Sequence, residues 1–171
     1  MKYRRRKSMR LQGYDYGSPG RYFITICTVE REQCLSSIVG ADVLIGPDSR
    51  LTRYGNVVRD TFEELEAVEA YVIMPDHVHF LIHFPQTGNG PLGTAAPTVQ
   101  KNEEAPQRTN RTVDGIVRLF KRRITQRCGK SMWQRGYYDH IIRDEKDYLR
   151  ILNYIGTNPA RELERRDDMK R

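Results

Sequence analysis

The sequence predicts an α+β sandwich, an antiparallel sheet carrying helices on one or both faces. Three observations predict it. Residues 21–30 alternate β-branched and aromatic side chains in the manner of a half-buried strand. Residues 51–67 and 113–128 instead repeat their apolar positions at helical spacing. The elements then follow one another as strand, helix, strands, helix, strand, helix. At 171 residues the chain is the size of one domain, read here as a single unit over 1–171 with a basic tail at 1–12 and a flexible insertion loop at 85–111.

Each element has its own local reason. Gly-Ser-Pro-Gly at 17–20 breaks the chain ahead of the first strand, Arg21 to Glu30. A short apolar stretch from Ala41 to Ile45 stops at Gly46-Pro47-Asp48-Ser49, a turn cluster that can lead into a helix. Leu51, Tyr54, Val57, Val58, Phe62 and Leu65 then mark one apolar face of an amphipathic helix over 51–67. Residues 68–84 read as two strand segments joined around Met74-Pro75-Asp76, because proline cannot donate into a central ladder. Four prolines and three glycines in 85–111 leave little that could join a core. Val113, Ile116, Val117, Phe120 and Ile124 restore the helical period, and Gly129 stands where a C-cap belongs. A loop and short strand occupy 131–143, and a last helix runs from an N-cap at Asp144 to Thr157, where Asn158-Pro159 is expected to stop it.

Composition narrows the functional classes. No apolar run approaches the roughly 18 residues of a membrane span, and the basic start lacks the apolar core of a secretory signal, so a cytoplasmic protein, nucleoid-associated when bound, is expected. Cys27, Cys34 and Cys128 show no C-x-x-C spacing, which argues against a disulfide framework or a zinc knuckle. The net charge of +7 favours a polyanionic partner, and its distribution strengthens that reading. Between Gly115 and Arg135 there are seven basic residues and no acid, and the first ten residues carry six more. Arg118, Lys121, Arg122, Arg123 and Arg127 on the helix, with Arg4, Arg5 and Arg6 in the tail, are therefore candidate phosphate contacts. Trp133, Tyr137 and Tyr138 are candidates for stacking on unpaired bases, or for packing under the last helix.

One spacing carries potential chemistry. His77 and His79 are two apart in an extended segment, so both imidazoles leave the same face while Val78, Phe80 and Ile82 turn to the other. Two such histidines suit metal ligation or ordinary hydrogen bonding, and the spacing alone does not choose. His83 extends the row as a bystander. Tyr154 and Asn158, four apart, stack on one side of the last helix, beside a stripe formed by Tyr148, Ile151, Leu152 and Ile155. On that geometry Tyr148 is the core tyrosine and Tyr154 reaches outward.

The runs M-P-D-H-V-H-F at 74–80, W-Q-R-G-Y-Y-D-H-I-I-R-D-E at 133–145 and Y-I-G-T-N-P at 154–159 resemble the single-tyrosine HUH transposases, in particular the REP-associated tyrosine transposases. G-Y-D-Y at 13–16 and Y-F-I-T-I-C-T at 22–28 are similar to the same family, and the likeness runs from about residue 4 to residue 161, the 85–111 loop excepted.

The resemblance implies a ferredoxin-like sheet with flanking helices and a DNA endonuclease that cuts and rejoins single-stranded or hairpin DNA through a 5′-phosphotyrosine. By the same resemblance His77 and His79 hold a divalent metal, Mg²⁺ or Mn²⁺, Asn158 completes its site, and Tyr154 is the nucleophile. The tyrosine helix of such enzymes serves its own site or that of a partner in a homodimer. The alternative is a non-catalytic DNA- or RNA-binding protein on the same fold, in which the histidines line a sheet and Tyr154 packs.

Overall fold

The computed structural model describes residues 13–42, 46–86 and 112–168. Arg4, Arg5 and Arg6, and nearly all of the 85–111 stretch, lie outside the described residues. The elements are β1 (Gly20–Cys27), β2 (Ser36–Asp42), β3 (Gly46–Leu51), α1 (Arg53–Glu63), β4 (Val68–Ile73), β5 (His77–Phe84), α2 (Val113–Cys128), β6 (Tyr138–Ile142) and α3 (Glu145–Asp168). Four strands form an antiparallel sheet in the order β4-β5-β1-β6, and β2 pairs with β3 in a separate ribbon. β1 reaches β4 through α1, and β5 reaches β6 through α2. Each pair is parted by one intervening strand, so two split β-α-β units interlock in the ferredoxin-like arrangement.

Alternation along the strands divides the protein into layers. On one face Tyr22, Ile24 and Ile26 of β1 and Val78, Phe80 and Ile82 of β5 pack under α1 and α2. Phe62, Phe80 and Phe120 meet there with ring centroids 4.6 to 5.5 Å apart, each ring contributing about 1.5–3 kcal/mol by leaving water. The opposite face is smaller: Phe23 and Leu81 pack on Ile151 and Ile155 of α3. His77 and His79, out of phase with Val78 and Phe80, therefore lie under α3.

Local chemistry sets the helix ends. The Thr52 hydroxyl accepts from the Tyr54 and Gly55 amides at the start of α1. Gly55 is required there, because a Cβ would come within 2.1 Å of the Leu35 carbonyl oxygen. Gly129 ends α2 in the left-handed region at φ 70, and Asp144 caps α3 by accepting the Asp147 amide at 2.8 Å.

Three expectations need correction. Gly46-Pro47-Asp48-Ser49 is not a turn into a helix; it belongs to β3, which runs on through Leu51. Pro47 is tolerated because the β2–β3 register shifts between Val39 and Asp42, so no regular ladder donor is demanded opposite it. Second, Pro159 does not stop the last helix, which continues to Asp168 with the proline inside it. The ring removes a single amide, while residues 160–165 are strong helix formers supported by an Arg165–Glu162 pair at 2.8 Å. Third, Tyr148 is not a core residue. It is half-buried, its hydroxyl donates to Glu69 Oε1 at 2.7 Å, and the Arg21 guanidinium lies 4.3 Å from its ring centre.

Candidate active site

β5 enters the sheet immediately after the Met74-Pro75-Asp76 turn, and its register places His79 opposite Thr25 and His77 opposite Cys27. The two imidazoles converge, with their Nε2 atoms 3.1 Å apart. Each ring is pinned through its other nitrogen. His77 Nδ1 donates to Asp76 Oδ1 at 2.5 Å, and His79 Nδ1 is paired with Thr25 Oγ1 at 2.8 Å. Asp76 is itself held from behind by Arg31 Nη1 at 3.4 Å. Glu30 and Arg31 adopt positive φ values of 53 and 60, an uncommon turn for non-glycine residues that brings Arg31 back over Asp76.

α3 brings the third group. The Tyr154 hydroxyl lies 3.3 Å from His79 Nε2, and Phe23 stacks on His79 at 5.3 Å while meeting Tyr154 edge-on at 5.9 Å. Tyr154 is half-buried, and Asn158, one turn further along the same helix, is buried at 8% exposure. Because the helix passes through Pro159, Asn158 is an interior helical residue and not a terminal one.

Electrostatics favours lone pairs at this point. Burial above all, with smaller contributions from His77 and Arg31, pushes His79 down to about 3, so its ring is neutral through the physiological range. In the tautomers that place the Nδ1 protons toward Asp76 and Thr25, two Nε2 lone pairs face one another. Such an arrangement is repulsive unless a cation lies between them. At a separation of 3.1 Å both Nε2 atoms would be able to reach a single ion. Two imidazoles by themselves suit borderline ions such as Zn²⁺, Fe²⁺ or Ni²⁺, and it is added oxygen donors that would admit Mg²⁺ or Mn²⁺ with open positions for a substrate. Among the described residues no group of three or more His, Cys, Asp or Glu is placed to hold a metal.

Beside this assembly is a pocket of about 380 Å³. Phe23 and Thr25 of β1 and His79 of β5 line its floor, and Tyr138 and His140 of β6 line its far side. Arg150, Ile151 and Tyr154 of α3 cover it.

No family model matches the chain. An uncharacterized protein of Haemophilus influenzae is 36% identical over 166 residues, spanning 90% of this chain and 88% of its own length. A second Haemophilus influenzae protein, named "Putative REP-associated tyrosine transposase", is 28% identical over 154 residues, covering 86% of this chain and 74% of its own. The "REP-associated tyrosine transposase" of Escherichia coli K12 is 26% identical over 95 residues, 55% of this chain and 44% of its own. In sequence the chain is similar to proteins named REP-associated tyrosine transposase. A solved structure of a REP-associated tyrosine transposase bound to a REP hairpin shares the fold, with a TM-score of 0.56 at 22% identity over 90% of this chain and 73% of that one.

The expected DNA contacts are unevenly placed. α2 lies on the face of the sheet opposite to His77, His79 and Tyr154, so the basic helix does not flank them. Lys121 Nζ is turned inward, donating to the carbonyls of Gln134 at 2.7 Å and Gly136 at 2.9 Å, and burial lowers its pKa. Arg127 pairs with Glu64 at 2.5 Å and Arg123 pairs with the same carboxylate at 3.3 Å, which ties α2 to the end of α1. Arg118 reaches the Asp114 carbonyl at 3.4 Å, and both Arg118 and Arg122 are exposed.

Of the three stacking candidates, Trp133 is buried on Phe120 at 5.5 Å and Tyr137 is half-buried with its hydroxyl on Asp114 at 2.8 Å. Tyr138, 41% exposed, borders the pocket. Thr25, Asp76 and His140 escaped the sequence reading. Asp76 alone carried a local signal, as the acid adjoining the histidine pair. Among the described residues no helix is long and apolar enough to cross a membrane.

Proposed function

We propose that this chain is a metal-dependent transposase that cuts and rejoins single-stranded or hairpin DNA, with Tyr154 as nucleophile and His77 and His79 as metal ligands. One observation carries the reading: the hydroxyl of Tyr154, Nε2 of His79 and Nε2 of His77 converge within 3.3 and 3.1 Å steps on one face of the sheet. Asn158, buried one turn beyond Tyr154, is the neutral donor proposed to complete the metal site. When bound, a divalent cation would neutralise charge on a phosphodiester oxygen and favour the phenolate of a neighbouring tyrosine.

The protein's own groups supply the rest. Burial pushes His79 down to about 3, which makes its ring a poor base toward a phenol that ordinarily titrates near 10. Its role is therefore to present a lone pair, and Thr25 and Asp76 fix the two rings that do so. Phe23 packs against both His79 and Tyr154 and so holds the two rings in place. Attack by the Tyr154 oxygen on phosphorus releases a 3′-hydroxyl and leaves a 5′-phosphotyrosine. The phosphodiester's energy is retained in that bond, so rejoining is the reverse attack and needs no nucleotide triphosphate.

The test is incubation with single-stranded hairpin DNA bearing unpaired flanks, with Mg²⁺ or Mn²⁺, followed by a denaturing gel. A covalent protein–DNA band is expected for the wild type and none for Tyr154→Phe. An undiminished band in Tyr154→Phe, or none from the wild type with either metal, would overturn the assignment.

A further inference from the structure

The pocket beside Tyr154 extends toward β6, on the side away from His77, and the chemistry above leaves its far wall unused. We propose that this pocket receives the base of the nucleotide adjoining the cleaved phosphate, and that His140 selects a base carrying an exocyclic amino group. The inference rests on the phosphotyrosine reading for what lies next to the pocket, and on the pocket's own groups for what enters it.

Size and walls point to a single base. About 380 Å³ is near the lower end of the roughly 300–1,000 Å³ range of small-molecule sites, enough for one nucleoside and too little for a duplex. The ring of Tyr138, 41% exposed on an edge strand, offers a stacking surface, and Ile151 supplies an apolar wall.

The polar groups define what is read. His140 Nε2 donates to Asp147 Oδ2 at 2.7 Å, and the other oxygen of Asp147 accepts from Arg150 Nη2 at 2.5 Å. That carboxylate fixes the proton on Nε2, so in the neutral ring Nδ1 is an acceptor. An acceptor pairs with the amino group of cytosine, adenine or guanine, and thymine has none. A site built around such a bond rejects the partner that lacks it more strongly than an apolar pocket could. Arg150 keeps its remaining donors at the mouth, where its side chain is 66% exposed and suited to a flanking phosphate.

Two measurements test the proposal. In EDTA, where no cutting occurs, dAMP, dCMP, dGMP and dTMP are titrated while the ring resonances of His140 and Tyr138 are followed by NMR. At least one amino-bearing nucleotide is expected to move both rings at a concentration about tenfold below that needed for dTMP. With Mn²⁺, a hairpin pool randomised in its single-stranded flanks is then cut, and the products are sequenced. The wild type should disfavour thymine about tenfold at one position next to the cut. His140→Ala should flatten that position alone, and His140→Gln should restore part of the preference. No response of either ring, an equal response to dTMP, or an unchanged preference in His140→Ala would overturn the proposal. Discriminating binding in EDTA without any covalent product would instead remove the phosphotyrosine reading and leave the nucleotide pocket standing.

Discussion

Replacing Asp76 separates the metal-clamp assignment from a purely architectural one. Asp76 Oδ1 accepts the Nδ1 proton of His77 at 2.5 Å, and Oδ2 faces Arg31 at 3.4 Å. Asp76→Asn preserves an acceptor for His77 while removing the charge, and Asp76→Ala removes both. Outer partners of metal-bound histidines are worth roughly 10–100-fold in metal affinity, or about 1.4–2.7 kcal/mol. The asparagine variant should sit near the lower figure and the alanine variant near the upper one. Without metal the cost is small, at most about 1 kcal/mol, because Asp76 keeps 22% and Arg31 55% of its side-chain surface exposed. Titration calorimetry with Mn²⁺ reads the affinity. Urea unfolding in EDTA and in saturating Mn²⁺ reads the linkage, since stabilisation by ligand scales with the logarithm of occupancy. A Mn²⁺ affinity within threefold of wild type in Asp76→Ala would refute the clamp. So would an equal stability loss with and without metal.

Three further outcomes are expected. Gly55→Ala should destabilise the protein by about 2–4 kcal/mol in urea unfolding, because its Cβ would meet the Leu35 carbonyl at 2.1 Å and neither backbone can rotate away; a loss under 0.5 kcal/mol would contradict that packing. In EDTA, stability should fall as pH drops below the ordinary histidine value of about 6.5 toward 3. The unfolded chain then protonates His79 while the folded one does not, a slope of up to about 1.4 kcal/mol per pH unit that His79→Gln should lack. Arg122→Ala should reduce the salt dependence of single-stranded DNA binding by about one ion, whereas Arg127→Ala, whose guanidinium is engaged by Glu64, should leave the slope unchanged and lower stability instead.

Much of the scaffold was legible because its signals are local. Alternation marked β1 and the faces of β5, Met74-Pro75-Asp76 marked the turn between β4 and β5, and Gly129 and Asp144 marked two helix ends. The β2–β3 ribbon was not legible, since Gly46 and Pro47 read as a turn until an irregular partner register accommodates them. The course of α3 through Pro159 was hidden for a similar reason: one missing amide is outweighed by the residues that follow.

The sequence by itself determined that His77 and His79 share a face, because a strand's period of two allows nothing else, and that Tyr154 and Asn158 share a side of one helix. Only the tertiary structure decided that those two surfaces meet, with the Tyr154 hydroxyl 3.3 Å from His79 Nε2. It also decided which basic residues are spent on Glu64 and on the Gln134 and Gly136 carbonyls, and which aromatic borders the pocket. Thr25 reaches His79 across 54 residues of chain and Arg127 reaches Glu64 across 63. Partners that distant are chosen by strand register and layer packing, which no local pattern encodes.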